Sequence, residues 1–250
     1  MVRYCFLVLF VLVASGNSMA QSYDKVYIEK KDVDVNNTIY KVGRTFYYSY
    51  KIQNKEGDSL FIDAEDAERL TSVKDEALPD QFKMEVIAPE KGKRTNKRQT
   101  EIRYSFEPMT DFRSSTGLVE NEQNVWLHPM RSHFFKALET APFPYVHLGK
   151  SVGYTWSDQM IIGDSWSNPV WGEWKGKLLL DYTYRIEKQE MVSTALGDLS
   201  CLKVVSTAKS TLGETELVSC FSEQYGFVKI EYKLLTGLKI VIDLVKVDGF

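Results

Sequence analysis

Five tryptophans lie within 49 residues in the middle of a chain of 250 residues. They are Trp126, Trp156, Trp166, Trp171 and Trp174. Indole rings stack on sugar rings and on acyl chains, so one hypothesis is that this segment presents a ligand-binding surface. The alternative, which we favour, is that the rings fill the hydrophobic core between a sheet and a helix.

The polar residues around the tryptophans match no catalytic or metal-binding motif. The histidines are His128, His133 and His147. Their spacing is unlike that of a zinc-binding helix. The nearby carboxylates are Asp158, Asp164, Glu173 and Asp181. They could supply the acid pair of a glycoside hydrolase, but no spacing singles out a pair. A G-x-S-x-G motif and a phosphate-binding glycine loop are also missing. We therefore assign no catalytic residue, no metal ligand and no cofactor.

Cys201 and Cys220 are candidates for a disulfide. If the stretch from Lys209 to Leu212 forms the turn between two strands, Ala208 pairs with Gly213 and the two cysteines face each other. A disulfide can form at that separation, and exported compartments are often oxidising. The alternative is two reduced thiols that serve as small buried side chains.

Residues 1–20 have the pattern of a signal peptide. Arg3 precedes an apolar run from Phe6 to Ala14, and Ser18-Met19-Ala20 has the small-x-small pattern of a cleavage site. The run has about nine residues, whereas a membrane-spanning helix needs roughly twenty. We therefore expect cleavage before Gln21, export to the periplasm or the medium, and no stable membrane span after cleavage.

The charge balance gives no general attraction to nucleic acids. The chain has 31 basic and 34 acidic side chains, and loss of Arg3 leaves 30 against 34, a net charge of −4. We therefore expect no nucleic-acid partner, and no pattern indicates an oligomeric state. Because hydrophobic residues make up 44% of the chain, a packed core is expected. Residues 21–250 are predicted to form a single mainly-β domain.

The residues from Lys177 to the C-terminus alternate between apolar and polar side chains. This period of two is typical of antiparallel strands with one buried face, and it predicts a meander of at least five strands. Thr236-Gly237 is the expected turn between the last two strands. Eight even-numbered residues of these two strands should face the core. They are Val228, Ile230, Tyr232, Leu234, Leu238, Ile240, Ile242 and Leu244.

The first half of the chain gives a weaker pattern. The candidate strands are Lys25 to Glu29, Thr45 to Ile52, Phe82 to Ile87 and Glu101 to Phe106. Five of the eight residues at 91–98 are basic. This stretch could bind an anion or a nucleic acid, but we interpret it as a solvated hairpin loop. The acidic stretch at 64–77 is expected to form a short surface helix or a long loop.

The segment Arg131 to Glu139 is the best candidate for a helix. Phe134, Phe135 and Leu138 have helical spacing, and prolines flank the segment. A helix between runs of antiparallel strands predicts a mainly-β fold, with a curved antiparallel sheet of about ten strands, an open or half barrel, wrapped over one short helix. The alternative is a β-sandwich with a helical insertion.

Four segments resemble a family of exported Bacteroidetes proteins. They are Trp126-Leu127-His128-Pro129-Met130-Arg131, Pro142-Phe143-Pro144-Tyr145, Gly197-Asp198-Leu199-Ser200-Cys201 and Tyr225-Gly226-Phe227-Val228-Lys229-Ile230-Glu231-Tyr232. The resemblance covers roughly residues 120 to 250 and implies no activity. More distantly, the C-terminal meander is similar to the half-barrels of periplasmic lipoprotein carriers. That similarity implies a sheet that curls around a helix and leaves an apolar concavity.

These observations leave three hypotheses for the function. The first, which we favour, is a non-enzymatic exported protein that binds an apolar ligand, such as a lipid or a lipoprotein acyl chain, in a curved sheet. The second is a carbohydrate- or envelope-binding module that uses the five tryptophans. The third is a hydrolase that uses the carboxylates between residues 158 and 181.

Overall fold

The structure is a computed structural model that describes residues 26, 30–90, 92–106 and 112–249. The predicted signal peptide lies outside the described residues, as does all of the predicted strand Lys25 to Glu29 except Val26. Within the described ranges the chain forms fourteen strands. They are β1 (Thr45–Gln53), β2 (Ser59–Ile62), β3 (Leu70–Thr71), β4 (Gln81–Ile87), β5 (Thr100–Ser105), β6 (Arg113–Glu120), β7 (Asn124–Leu127), β8 (Tyr145–His147), β9 (Thr155–Gly163), β10 (Lys177–Thr194), β11 (Gly197–Ser210), β12 (Gly213–Ser222), β13 (Gly226–Lys233) and β14 (Lys239–Asp248).

The strands form one open antiparallel sheet. Twelve of them follow each other in the order β8-β7-β6-β5-β4-β1-β14-β13-β12-β11-β10-β9, while β2 pairs with the end of β1 and β3 pairs with β2. The predicted fold class, a mainly-β open antiparallel sheet, is therefore confirmed, and the alternative of a sandwich is wrong. The sheet has more strands than the ten or so expected, because short strands such as β2, β3 and β8 carry too few residues to show alternation.

The C-terminal meander was predicted correctly from its alternation. It comprises β10 to β14, and all eight even-numbered residues expected to face the core are buried. Ile230 pairs with Ile242 and Tyr232 pairs with Ile240, so both strands turn the same set of side chains to one face. We call this side of the sheet the inner face. Hiding this apolar set from water fixes the register of the last hairpin.

A 3-10 helix, His133–Thr140, packs on the inner face. Its bounds differ by only one or two residues from those of the predicted helix, Arg131 to Glu139. The Phe135 ring lies 5.3 Å from that of Tyr50 and 6.2 Å from that of Phe82, measured between centroids. At the other end of the helix, the Thr215 hydroxyl donates to the Thr140 carbonyl at 2.9 Å. The helix therefore fills the inner face between β1 and β12.

The sheet curls until its two edge strands come close to each other. The ring of Tyr145, on β8, lies 5.6 Å from that of Trp156 on β9 and 5.6 Å from that of Tyr184 on β10. No hydrogen-bonded pairing between β8 and β9 joins the edges in the described part of the chain. Aromatic side chains therefore occupy the gap where a closed sheet would have a ladder of hydrogen bonds.

The first half of the chain contains three predicted strands with nearly the expected bounds. They are β1, β4 and β5. The basic stretch joins β4 to β5, which pair with each other, so it is a hairpin loop as interpreted. The acidic stretch at 64–77 forms turns and the two-residue strand β3, so of the two alternatives it is the loop.

Candidate functional site

The five tryptophans do not converge on one surface, and none of them is exposed. Trp126, on β7, is buried beside His128 and Phe143, with ring centroids 5.8 and 5.7 Å away. Trp156 lies at the seam between the sheet edges, and the other three lie in the connection between β9 and β10. Closeness in sequence therefore does not produce one indole cluster.

Four other aromatic rings contact the half-buried Trp156 indole. Tyr184 stacks on it with centroids 5.1 Å apart and an interplanar angle of 6°. The His147 ring lies 4.7 Å away, and Tyr145 and Tyr154 contact the indole from further sides. Because a sugar ring stacks on an open aromatic face, this geometry favours packing over a carbohydrate platform.

Trp166, Trp171 and Trp174 fold over the 3-10 helix. The Trp171 side chain is 1% exposed, its ring lies 6.4 Å from that of Phe134, and its indole N–H donates to the Trp166 carbonyl at 2.9 Å. The backbone N–H of Trp174 donates to the Ser167 hydroxyl at 3.0 Å. These contacts anchor the β9–β10 connection on the core.

The candidate carboxylates do not form a facing pair. Asp158 lies opposite Tyr182 and Asp181 lies opposite Gln159, so the two acids project from opposite faces of the sheet. Asp164 accepts a hydrogen bond from the Gly176 backbone at 2.8 Å and thereby closes the loop before β10. Among the described residues no group of three or more His, Cys, Asp or Glu side chains is arranged to hold a metal ion.

The predicted register between the two cysteine-bearing strands is wrong. Ser210, rather than Ala208, lies opposite Gly213, so the turn consists of residues 211 and 212 alone. This shift of two residues places Cys220 opposite Lys203. A two-residue turn without an Asn-Gly or Asp-Gly signal is hard to place from sequence.

Cys201 and Cys220 are consequently diagonal neighbours instead of a facing pair, and both are free and buried. The Cα atoms at diagonal positions in an antiparallel pair lie roughly 7–8 Å apart, whereas the Cα atoms of a disulfide usually lie within about 6.8 Å of each other. Burial raises the pKa of each thiol to about 11. The geometry therefore favours the alternative of two reduced, unreactive thiols over the predicted disulfide.

His128 belongs to a buried polar group that the sequence did not reveal. Its Nδ1 contacts the Pro129 carbonyl at 2.8 Å, so Nδ1 carries the proton and Nε2 accepts from the Arg131 guanidinium. Burial, reinforced by the charge of Arg131, lowers the pKa of His128 well below its usual range. Glu139, from the helix, lies 3.6 Å from the Arg131 side chain and supplies the counter-charge.

An apolar cleft of about 270 Å³ lies at the end of β1, where the inner face opens towards solvent. Tyr50 and Ile52 form its floor, and Leu60, Ile62 and Leu78 form its walls. Its rim carries Ser49, Lys51, Ser59, Lys74, Asp75 and Asp80. We call this site the apolar cleft. A small extension, lined by Phe106 and Phe112, continues it along the inner face.

The loop that contains the end of the acidic stretch forms one side of this cleft. The Tyr50 hydroxyl donates to the Pro79 carbonyl at 3.0 Å, and the Tyr50 backbone N–H donates to the Asp80 carbonyl at 3.0 Å. These bonds hold residues 72–80 across the end of the sheet. The available signal was a pair of apolar runs, Leu60-Phe61-Ile62 and Leu78-Pro79, that flank the acidic stretch at 64–77.

No protein-family model and no curated protein sequence matches the chain. One similar solved structure is a protein from Parabacteroides distasonis provisionally described as a lipoprotein, 12% identical over 84% of this chain and 96% of the other, with a TM-score of 0.48. A second, from Bacteroides fragilis, is provisionally described as an exported protein with a YmcC-like fold; it is 12% identical over 84% and 97%, with a TM-score of 0.43. A third is the hypothetical lipoprotein YmcC of Escherichia coli, 10% identical over 83% and 86%, with a TM-score of 0.40. Likenesses this distant carry no argument about activity.

The described residues include no helix that is long and apolar enough to span a bilayer.

Proposed function

We propose that this protein is exported and binds an acyl chain or a similar apolar ligand in the apolar cleft, without catalysing a reaction. The observation that carries the proposal is an apolar recess at the mouth of a sheet whose inner face is otherwise filled. The proposal of export rests on the sequence of residues 1–20.

The cleft has the composition of a small-molecule site. Ligand sites are mostly apolar recesses with a few polar groups at fixed positions, and they start at about 300 Å³. The described cleft, at about 270 Å³, is close to that lower limit. Its extension towards Phe106 and Phe112 has a volume of only about 10 Å³, so we expect the main part of the cleft to hold the ligand.

The location of the cleft corrects one expectation. The half-barrel resemblance implies an open concavity on the sheet, but the 3-10 helix and its aromatic neighbours occupy that region. An apolar ligand therefore finds room at the end of β1 and not under the middle of the sheet. Ile52 in the floor and Ile62 in the wall are buried, so both surfaces of the cleft are held in place by the core.

Fluorescence of cis-parinaric acid, a conjugated fatty acid, tests the proposal. The mature protein should raise its fluorescence in a saturable manner. Leu60→Trp should fill the cleft and weaken binding at least about tenfold, equivalent to about 1.4 kcal/mol of binding free energy. Val73→Trp is the matched control, because Val73 is 72% exposed and does not line the cleft.

Two outcomes would overturn the proposal. One is the absence of saturable binding to the folded protein, checked by circular dichroism. The other is equal weakening by the two tryptophan substitutions, which would place the probe on the general surface. If neither outcome is found, organic extraction of the protein purified from its native host, followed by mass spectrometry, identifies the natural apolar ligand.

A further inference from the structure

A second cleft, of about 570 Å³, lies at the opposite end of β5 from the apolar cleft. It lies along the first part of β6. This part pairs with β5 on one side, and no described strand pairs with its other side, because β7 pairs only with Leu118–Glu120. Residues 95–99, residues 115–117 and Arg131 line it. Every described lining residue is polar or glycine, and none of these is acidic. We call this site the polar cleft.

Arg131 is held in a fixed position at the wall of the polar cleft. Its guanidinium donates to the Thr116 hydroxyl at 3.1 Å and to the Nε2 atom of His128. The Trp166 ring lies 5.7 Å away on another side. A guanidinium that is already oriented loses little freedom on binding a carboxylate or a phosphate.

The basic loop contributes two further cations to the polar cleft, Lys97 and Arg98. Other cations of this loop are used within the protein, since Arg94 pairs with Asp34 and Lys93 pairs with Glu90. Lys97 has no ion-pair partner among the described residues. The loop therefore directs a charge into the cleft that the fold itself does not use.

Two acids pack behind the walls and reduce the positive charge without removing it. Glu139 lies 3.6 Å from Arg131. Glu101, on β5, accepts a hydrogen bond from the Thr95 backbone at 3.0 Å. Both acids are buried, whereas Lys97 is exposed and lines the cleft without an acid beside it among the described residues.

Gln99 adds an unused acceptor. Its side chain is 1% exposed, its amide nitrogen donates to the Val26 carbonyl at 3.0 Å, and its Oε1 atom has no partner among the described residues. A buried acceptor left unpaired costs about 1–3 kcal/mol. Gly117 makes room for this group, since a Cβ there would lie 2.2 Å from Oε1. A ligand hydroxyl that reaches Oε1 would satisfy it.

We propose that the polar cleft binds a small hydrophilic anion that carries a phosphate or carboxylate group and at least one hydroxyl. The guanidinium of Arg131 and the ammonium of Lys97 take the anionic group, and Gln99 accepts from the hydroxyl. This inference does not depend on the apolar cleft, and the two sites share none of their described lining residues.

Isothermal titration calorimetry of the full mature protein at low salt tests the proposal with three probes. Glycerol 3-phosphate carries a phosphate, glucuronate carries a carboxylate, and glycerol carries neither. We expect saturable binding of at least one charged probe and none of glycerol. The charged probe that binds identifies the preferred group. Binding of glycerol alone, or of no probe, would overturn the proposal.

Variants distinguish the polar cleft from the general surface charge. The double change Lys97→Ala and Arg98→Ala should lower the affinity at least about tenfold, whereas Lys93→Ala, in the same loop but outside the cleft, should not. Ser115→Trp, at an exposed lining position, should block binding without altering charge. An equal effect of Lys93→Ala, or full binding by the Ser115→Trp protein, would refute a site at this position.

Vesicles with and without phosphatidylglycerol show whether the anion comes from a lipid headgroup or from a free small molecule. Binding only to the vesicles that contain phosphatidylglycerol, abolished by Ser115→Trp, would identify a lipid headgroup as the natural anion.

Discussion

Glu120, the last residue of β6, offers the sharpest test of how the N-terminal part of the described chain is held. Its Oε1 atom accepts from the backbone N–H of Thr38 at 2.8 Å, from the Thr38 hydroxyl at 2.7 Å and from the backbone N–H of Ile39 at 2.8 Å. Its Oε2 atom accepts from the backbone N–H of Tyr40 at 2.8 Å. The carboxylate is 3% exposed, so water cannot replace these bonds.

Glu120→Gln changes this arrangement with almost no change in volume. The amide oxygen can still accept the three bonds made by Oε1, but from a neutral instead of a charged group. The amide nitrogen cannot accept from Tyr40, whose buried N–H loses its partner. An unpaired buried donor costs about 1–3 kcal/mol, and bonds to charged groups exceed neutral ones by about 1 kcal/mol. Part of the loss is offset because a neutral side chain is easier to bury, so we expect a decrease of roughly 2–4 kcal/mol in the free energy of unfolding.

Urea denaturation followed by tryptophan fluorescence measures this change, and Glu122→Gln is the matched control. Glu122 is exposed in the turn after β6, so its substitution should alter the unfolding free energy by less than about 0.5 kcal/mol. If only residues 37–44 detach from the sheet, the midpoint of urea denaturation will change less than the local stability does. Hydrogen exchange at the backbone amides of Ile39 and Tyr40 should then accelerate. Unchanged stability together with unchanged exchange would refute the role of the carboxylate.

Three further predictions concern the core, the thiols and export. Ile240→Ala, on the inner face, should lower the free energy of unfolding by roughly 2–5 kcal/mol, while Lys239→Ala, on the other face, should stay within about 0.5 kcal/mol; equal effects in urea denaturation would contradict a one-sided sheet. Cys201 and Cys220 should resist Ellman's reagent at pH 8 in the folded protein, because a pKa of about 11 keeps both thiols protonated, and should react once urea unfolds the chain; absence of two free thiols on unfolding would indicate a disulfide instead. Mass spectrometry of protein recovered from the native host should find Gln21 as the first residue, and an intact Met1 would contradict cleavage.

The sequence predicted the C-terminal meander because one face of each strand is buried and the other is wetted. From Leu178 to Ile186 every even residue is buried, so alternation and structure agree. A β-bulge follows, between Ile186 and Lys188, and shifts the pairing by one residue. Alternation cannot locate such an insertion, since the bulge reverses which side chains point inwards without a marker in the sequence.

The candidate sites were harder to predict because they depend on contacts between distant segments. Glu120 binds residues that lie 80 or more positions earlier in the chain. The apolar cleft unites β1 with a loop that showed no periodic pattern, and the polar cleft unites the basic loop with Arg131. In each case the residue types can be read from the sequence. Which distant residue each of them contacts depends on the path of the chain across the sheet.

The packed inner face also explains where ligands can bind in this fold. Phe134, Phe135 and Trp171 fill the space that an open half barrel would leave for a ligand, and their burial stabilises the sheet. The two edge strands, β8 and β9, contact each other through aromatic rings and, in the described part of the chain, not through paired backbone hydrogen bonds. Space is then left chiefly where strands end or lose a neighbour, as at β1 and β6. Loops form those places, and so the polar and apolar recognition groups of this protein lie in the segments where strand periodicity gives least information.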